Sequence, residues 1–197
     1  MNWSVIHNPA YWGEKRLNYP NVPKEHAKFS ESVVVENLIF VSGCIGKDAQ
    51  TNKAIPKSIA DQTYLALENT RLALDRAGSS MENIVKTMSL IRESSEYGEY
   101  RKAETEYYEE YAPTLIKKPP SATLMVYPGL ALPELKMEYE VIATINRDAK
   151  DWNVKYYPEY WGGKELAFPH VPKEHAKFAR SQVIGQLAIV SGCQALN

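Results

Sequence analysis

Apolar residues recur along this chain in two rhythms. Ser32-Val33-Val34-Val35 and Leu38-Ile39-Phe40-Val41-Ser42-Gly43 are short β-branched and aromatic runs. Glu36-Asn37 between them suits a tight turn, so the spacing predicts a β-hairpin. The helical period then takes over. Ser58 stands as an N-cap with Asp61 and Gln62 in the first turn, and Ile59, Ala66, Thr70, Ala73 and Ala77 share one face, flanked by Leu67 and Leu74. Gly78 follows as the terminating residue. Residues 84–91 read as a strand. Tyr97, Tyr100, Glu104, Tyr107, Tyr108 and Tyr111 return to helical spacing, and Pro119-Pro120 breaks it. Residues 122–126 and 137–145 are two more strands. In the last of them Met137, Tyr139, Val141, Ala143 and Ile145 alternate with Glu138, Glu140, Ile142 and Thr144. Residues 1–28 are rich in Pro, Asn and Tyr, show no period, and read as an irregular arm.

The predicted order is ββαβαββ. Two helices on one face of a mixed sheet give an α+β sandwich. The opposite face is apolar as well, at Ile142 for example, and needs a second cover. Subunit association is the usual solution, and a site between subunits follows from it.

A repeat organises the chain. Tyr11-Trp12-Gly13 recurs as Tyr160-Trp161-Gly162, Val22 through Phe29 recurs as Val171 through Phe178, and Val41-Ser42-Gly43-Cys44 recurs as Val190-Ser191-Gly192-Cys193, always 149 residues apart. The reading is therefore a complete domain over 1–149 and a partial second copy over 150–197. The partial copy holds only the arm and the opening hairpin. It cannot bury its strand residues alone, so it must dock on another surface, swap into a neighbour, or remain partly mobile.

Composition narrows the classes. Hydrophobic residues make up 44% and charged residues 24%, and 23 basic against 24 acidic side chains leave a formal charge of -1. Wholesale disorder is excluded, and the basic excess of a nucleic-acid binder is missing. No run reaches the roughly 20 apolar residues of a membrane span, and the N-terminus lacks signal-peptide order. A cytoplasmic protein is expected. Cys44 and Cys193 cannot build a disulfide framework and read as reduced, buried thiols. His26 and His175 lack a second ligand at metal spacing.

With these elements in place, the chain resembles the RidA/YjgF family over about residues 28–147, and again over 177–197. The resemblance rests on Leu38 through Gly43, Gln62 through Ser80, Ile84-Val85-Lys86-Thr87, Pro119 through Thr123, and Met137 through Ala143. It implies a homotrimer with clefts between subunits, in which the best-known members hydrolyse enamines and imines to ketoacids and ammonia. In those members an Arg clamps the substrate carboxylate, a Glu on the last strand handles water, a Tyr lines the pocket, and an Asn sits on the second helix. Here the Glu corresponds to Glu138, the Tyr to Phe29, the Arg to Ala122 and the Asn to Glu104, while Ser42-Gly43 is kept.

The alanine at 122 removes a guanidinium–carboxylate contact. Three explanations stand open: a substrate without that carboxylate, another cation such as Arg101, Lys117 or Lys118, or a degenerate first unit. The expected activity is hydrolysis of a small imine, enamine or related nitrogen compound. It needs no cofactor, because the imine carbon is already electrophilic. The cleft would be lined by Phe29, Ser42, Gly43, Ala122, Thr123, Leu124 and Glu104, with Glu138 positioning water. A non-catalytic small-ligand binder is the alternative. A ribonuclease is a third reading, disfavoured by the neutral charge.

Overall fold

The computed structural model describes residues 4–9, 11–12, 15–16, 29–48, 54–146, 154–158, 160–161, 164–165 and 178–192. His26 and His175 lie outside them. The elements are strands β1 (Val5–Pro9), β2 (Ser30–Val35) and β3 (Leu38–Ile45), helix α1 (Ile59–Arg76), strand β4 (Ile84–Ile91), helices α2 (Tyr97–Tyr111) and α3 (Pro113–Lys117), strands β5 (Ser121–Val126) and β6 (Met137–Thr144), and then β7 (Val154–Pro158), β8 (Ala179–Ile184) and β9 (Leu187–Val190). Two pairs of two-residue strands, Tyr11–Trp12 with Lys15–Arg16 and Tyr160–Trp161 with Lys164–Glu165, stand apart. No helix among the described residues is long and apolar enough to cross a membrane.

The nine strands form one mixed sheet in the order β1-β2-β3-β6-β4-β5-β8-β9, with β7 also paired to β8. β4 and β5 run parallel, so a crossover must join them, and α2 provides it. The expected ββαβαββ order is present. The arm differs from expectation, because β1 pairs antiparallel with β2 from Val5↔Val35 onward. Val5 and Ile6 are exposed there, so main-chain bonds hold the strand and no period of burial marks it in the sequence.

Local chemistry sets the boundaries. The Ser58 hydroxyl accepts from the Asp61 amide at 3.0 Å and opens α1. Gly78 closes it at φ 80, with Gly78 N bonded to Asp75 O and Ser79 N to Leu74 O. Glu36 turns the β2–β3 hairpin at a left-handed φ of 55, where a side chain is strained. Gly185 occupies the matching turn between β8 and β9 at φ 56. Glu36→Gly is therefore expected to raise the melting temperature by about 1–4 °C, read by thermal unfolding. A lower value would mean that the exposed Ser4–Glu36 bond matters more than the backbone.

The core lies between the sheet and α1 and α2. Ile39, Val41, Leu67, Leu74, Ile91, Tyr100, Tyr107, Met137 and Tyr139 are all buried in it, so the tyrosine stripe is core. On the opposite face, Ile184 and Ile189 of the β8–β9 hairpin pack on Leu38, Val85 and Ile142. Part of the cover expected from another subunit thus comes from the same chain. Phe40 and Met125 remain about 41% exposed.

Candidate functional site

Glu138 is placed by the loop before it. The buried Gln62 side chain donates to Pro56 O at 2.7 Å and Glu134 O at 2.9 Å, and accepts from Lys136 N at 2.7 Å. Lys136 O in turn accepts from Arg92 N. β6 therefore starts in fixed register, with Glu138 between Ile45 and Leu90 on the face away from the helices.

A bulge in β3 between Val41 and Cys44 takes Ser42 and Gly43 out of that register. The Glu138 carboxylate fills the room this makes. A Cβ on Gly43 would stand 1.8 Å from its Oε1. Ser42 holds the bulge, donating to Ser30 O at 2.7 Å. Glu138 is half-buried, and its carboxyl is pushed above the ordinary range by burial and then by the charge of Glu140. Cys44 packs against the core, and burial pushes its thiol up to about 12, which leaves it protonated and inert at neutral pH.

Ala122 faces the other way. It pairs with Thr87, on the helix side of the sheet, whereas its neighbour Thr123 pairs with Met88 on the Glu138 side. A cavity of about 20 Å³, room for roughly one water, lies among Arg101, Glu104, Tyr108, Pro120, Ala122 and Phe178. Glu104 is 3% exposed and accepts from Tyr100 Oη at 2.7 Å, Tyr139 Oη at 2.9 Å and Arg101 Nη1. Arg101 Nε is buried and has no hydrogen-bond partner. Lys117 and Lys118 are exposed. Of the cations weighed as replacements for the missing Arg, Arg101 alone lines the cavity.

The expected site residues thus form two groups. Ser42, Gly43 and Glu138 meet on one face, and Ala122 and Glu104 meet in the cavity. Thr123 accepts from Lys86 Nζ at 2.7 Å. Leu124 is 37% exposed, and its main chain, like that of Ala122, faces the outer edge of β5. Phe29 is 45% exposed.

Beside Ala122 stand residues of the 178–192 hairpin that sequence reasoning missed. Gly192 N donates to Ala122 O at 2.9 Å, the Ser191 hydroxyl accepts from Ala122 N at 2.9 Å, and Phe178 lines the cavity. The 149-residue offset carried the missing signal, because it makes Phe178, Ser191 and Gly192 the counterparts of Phe29, Ser42 and Gly43.

The model of the family described as Endoribonuclease L-PSP matches residues 20–145. The chloroplastic Reactive Intermediate Deaminase A of Arabidopsis thaliana is 31% identical over 124 residues, and the match covers 62% of this chain. The chain spans 62% of that relative's length. The 2-iminobutanoate/2-iminopropanoate deaminase of Rattus norvegicus is 28% identical over 99 residues, covering 50% of this chain and 72% of that protein. Among solved structures, E. coli TdcF with bound serine superposes with a TM-score of 0.53 at 26% identity, covering 59% of this chain and 87% of TdcF. The α+β fold is the same.

Proposed function

The chain belongs to the RidA/YjgF family, whose model bears the description Endoribonuclease L-PSP, and from that premise we propose that it is a deaminase of small imines or enamines. Its site lies at the junction between two copies of the 1–149 unit, and the homotrimer implied by the resemblance makes the active assembly. One observation carries this reading. Gly192 sits on the main chain of Ala122 with its Cα side toward Thr123, while its counterpart Gly43 sits on Glu138. A Ser-Gly bulge from one unit therefore bridges its own Glu138 to the Ala122–Thr123 edge of the next.

The chemistry follows from the carboxylate. Glu138 takes a proton from water as the water oxygen attacks the carbon of the protonated imine, giving a neutral carbinolamine. Return of that proton to nitrogen makes ammonia the leaving group, and as the C–N bond breaks the carbinolamine hydroxyl gives its proton to the Glu138 carboxylate and the C=O bond forms. Water and imine are consumed, and a ketone and ammonia leave. Burial of Glu138 raises its basicity toward neutral pH, which suits a general base.

Ammonia release from enzymatically generated 2-imino acids and from neutral enamines tests the reading. Acceleration with either substrate class supports it, and the class shows whether Arg101 has replaced the missing Arg. No acceleration with either would leave a ligand-binding protein. Glu140→Gln is expected to move the acid limb of kcat/KM to lower pH. The active form is the carboxylate, and removing the neighbouring charge lets Glu138 ionise more easily. An unmoved limb would assign the pH dependence to another group.

A further inference from the structure

The cavity beside Ala122 is small, and its polar groups are unevenly satisfied. With about 20 Å³, room for roughly one water, it admits one oxygen atom of a ligand and not both oxygens of a carboxylate. Glu104, Pro119 and Pro120 are buried at its floor, while Ile116, Ala122 and Phe178 are partly exposed and form an apolar mouth.

Arg101 supplies the donor. Among the described residues, its Nε is the only buried side-chain nitrogen or oxygen around the cavity without a hydrogen-bond partner. A buried donor without an acceptor is costly, so Nε marks a place for an acceptor.

The charge beside that donor is already balanced. Arg101 Nη1 pairs with Glu104 Oε2. Glu104 is 3% exposed, and Tyr100 Oη at 2.7 Å and Tyr139 Oη at 2.9 Å hold its carboxylate against the guanidinium. Lys117 and Lys118 are exposed and do not line the cavity. A ligand carboxylate at Nε would place a second negative charge beside Glu104, with one cation for both, where water screens poorly. A neutral carbonyl oxygen accepts from the same N–H without that repulsion.

We propose that Arg101 and Glu104 together form a charge-neutral subsite for one carbonyl oxygen, so that the chain acts on uncharged imines and enamines of the 2-imino amide and ester class and discriminates against 2-imino acids. The proposal rests on the deaminase reading and names its substrate class. Arg101 Nε is the specificity-determining donor. Glu104 acts through Arg101 and is a positioning residue. The alanine at 122 fits the same chemistry, because a second guanidinium there would leave the subsite positive and favour the anion.

The test uses the full 197-residue chain and two probes with one three-carbon skeleton, pyruvamide and pyruvate, titrated by calorimetry. The wild type is expected to bind pyruvamide about 10–100-fold more tightly than pyruvate, and pyruvamide is expected to shift the Arg101 Nε–H resonance. Glu104→Gln keeps an acceptor for the tyrosines and unmasks the guanidinium charge, so it is expected to reverse the order of the two probes. Arg101→Lys keeps the ion pair without Nε–H, and is expected to weaken pyruvamide by about 10–100-fold at a near wild-type melting temperature. Equal affinities in the wild type, or tighter pyruvate, overturn the proposal. So does an order that Glu104→Gln leaves unchanged. Binding of neither probe, with the Nε–H resonance unmoved, shows that the donor meets only a water and overturns it too. Ammonia release separates the two readings. A pyruvamide preference without release from any imine upholds the subsite and removes the deaminase. Equal release from 2-imino acids and 2-imino amides removes the subsite and leaves the deaminase.

Discussion

Gly43→Ala, in the assembled state, is expected to lower deaminase turnover by about 10²–10⁴-fold, the range for loss of a general base, while the fold stays intact. The new Cβ would fall 1.8 Å from Glu138 Oε1 and 2.7 Å from its Cδ. Both atoms belong to the far end of a flexible side chain, so the carboxylate swings away and the strands stay in place. The backbone at Gly43 is not left-handed, and alanine fits it without strain. Glu138→Gln is expected to give a similar loss. The double variant is expected to lose no more than either single one, because both remove the same group from the same place.

Gly192→Ala supplies the internal control. Its Cβ would meet Thr123 at 3.4 Å, an ordinary contact, so the same substitution in the other hairpin is expected to be silent. Turnover measured with the single and double variants, beside a melting curve for each, decides the matter. A Gly43→Ala protein that keeps wild-type turnover would show that the carboxylate position is irrelevant and that water is handled elsewhere.

These consequences were only half legible in the sequence. Glu138 could be named because strand alternation and the resemblance both point to it. Ser42 and Gly43 could be named as kept residues. Their joint geometry could not, because a β-bulge leaves no mark in a hydrophobic pattern, and only the bulge explains why a glycine must face that glutamate. The hairpin, both long helices and the closing strand followed from periodicity, since burial on one face enforces it. β1 escaped notice for the converse reason: its side chains are exposed, and hydrogen bonds to an open edge carry no side-chain code. The apolar pattern shows that the second face of the sheet needs a cover. That part of it comes from the repeat, through Ile184 and Ile189, depends on tertiary placement that spacing does not contain.

Glu104 poses the sharpest conflict between family position and environment, and its substitution has the largest expected effect on stability. Resemblance assigns it to the substrate. Packing gives it another task, since its two oxygens receive hydrogen bonds from Tyr100, Tyr139 and Arg101. Removing the carboxylate takes one of two hydrogen-bond partners from the Tyr100 and Tyr139 hydroxyls, which keep Ser89 and Tyr108, and leaves a guanidinium that is only 14% exposed without its counter-charge. Glu104→Ala is therefore expected to cost about 3–5 kcal/mol of folding stability, as removal of one partner from a buried ion pair does. That is a large share of the roughly 5–15 kcal/mol by which a protein is stable at all. Urea unfolding measures it as a lower midpoint at constant slope. Adding Arg101→Met is expected to recover much of the loss, because the stranded charge, not the missing contact, dominates the cost. Were Glu104 instead a ligand-binding group with spare bonding capacity, Glu104→Ala would leave the midpoint almost unchanged and raise KM. The double variant would then bring no recovery.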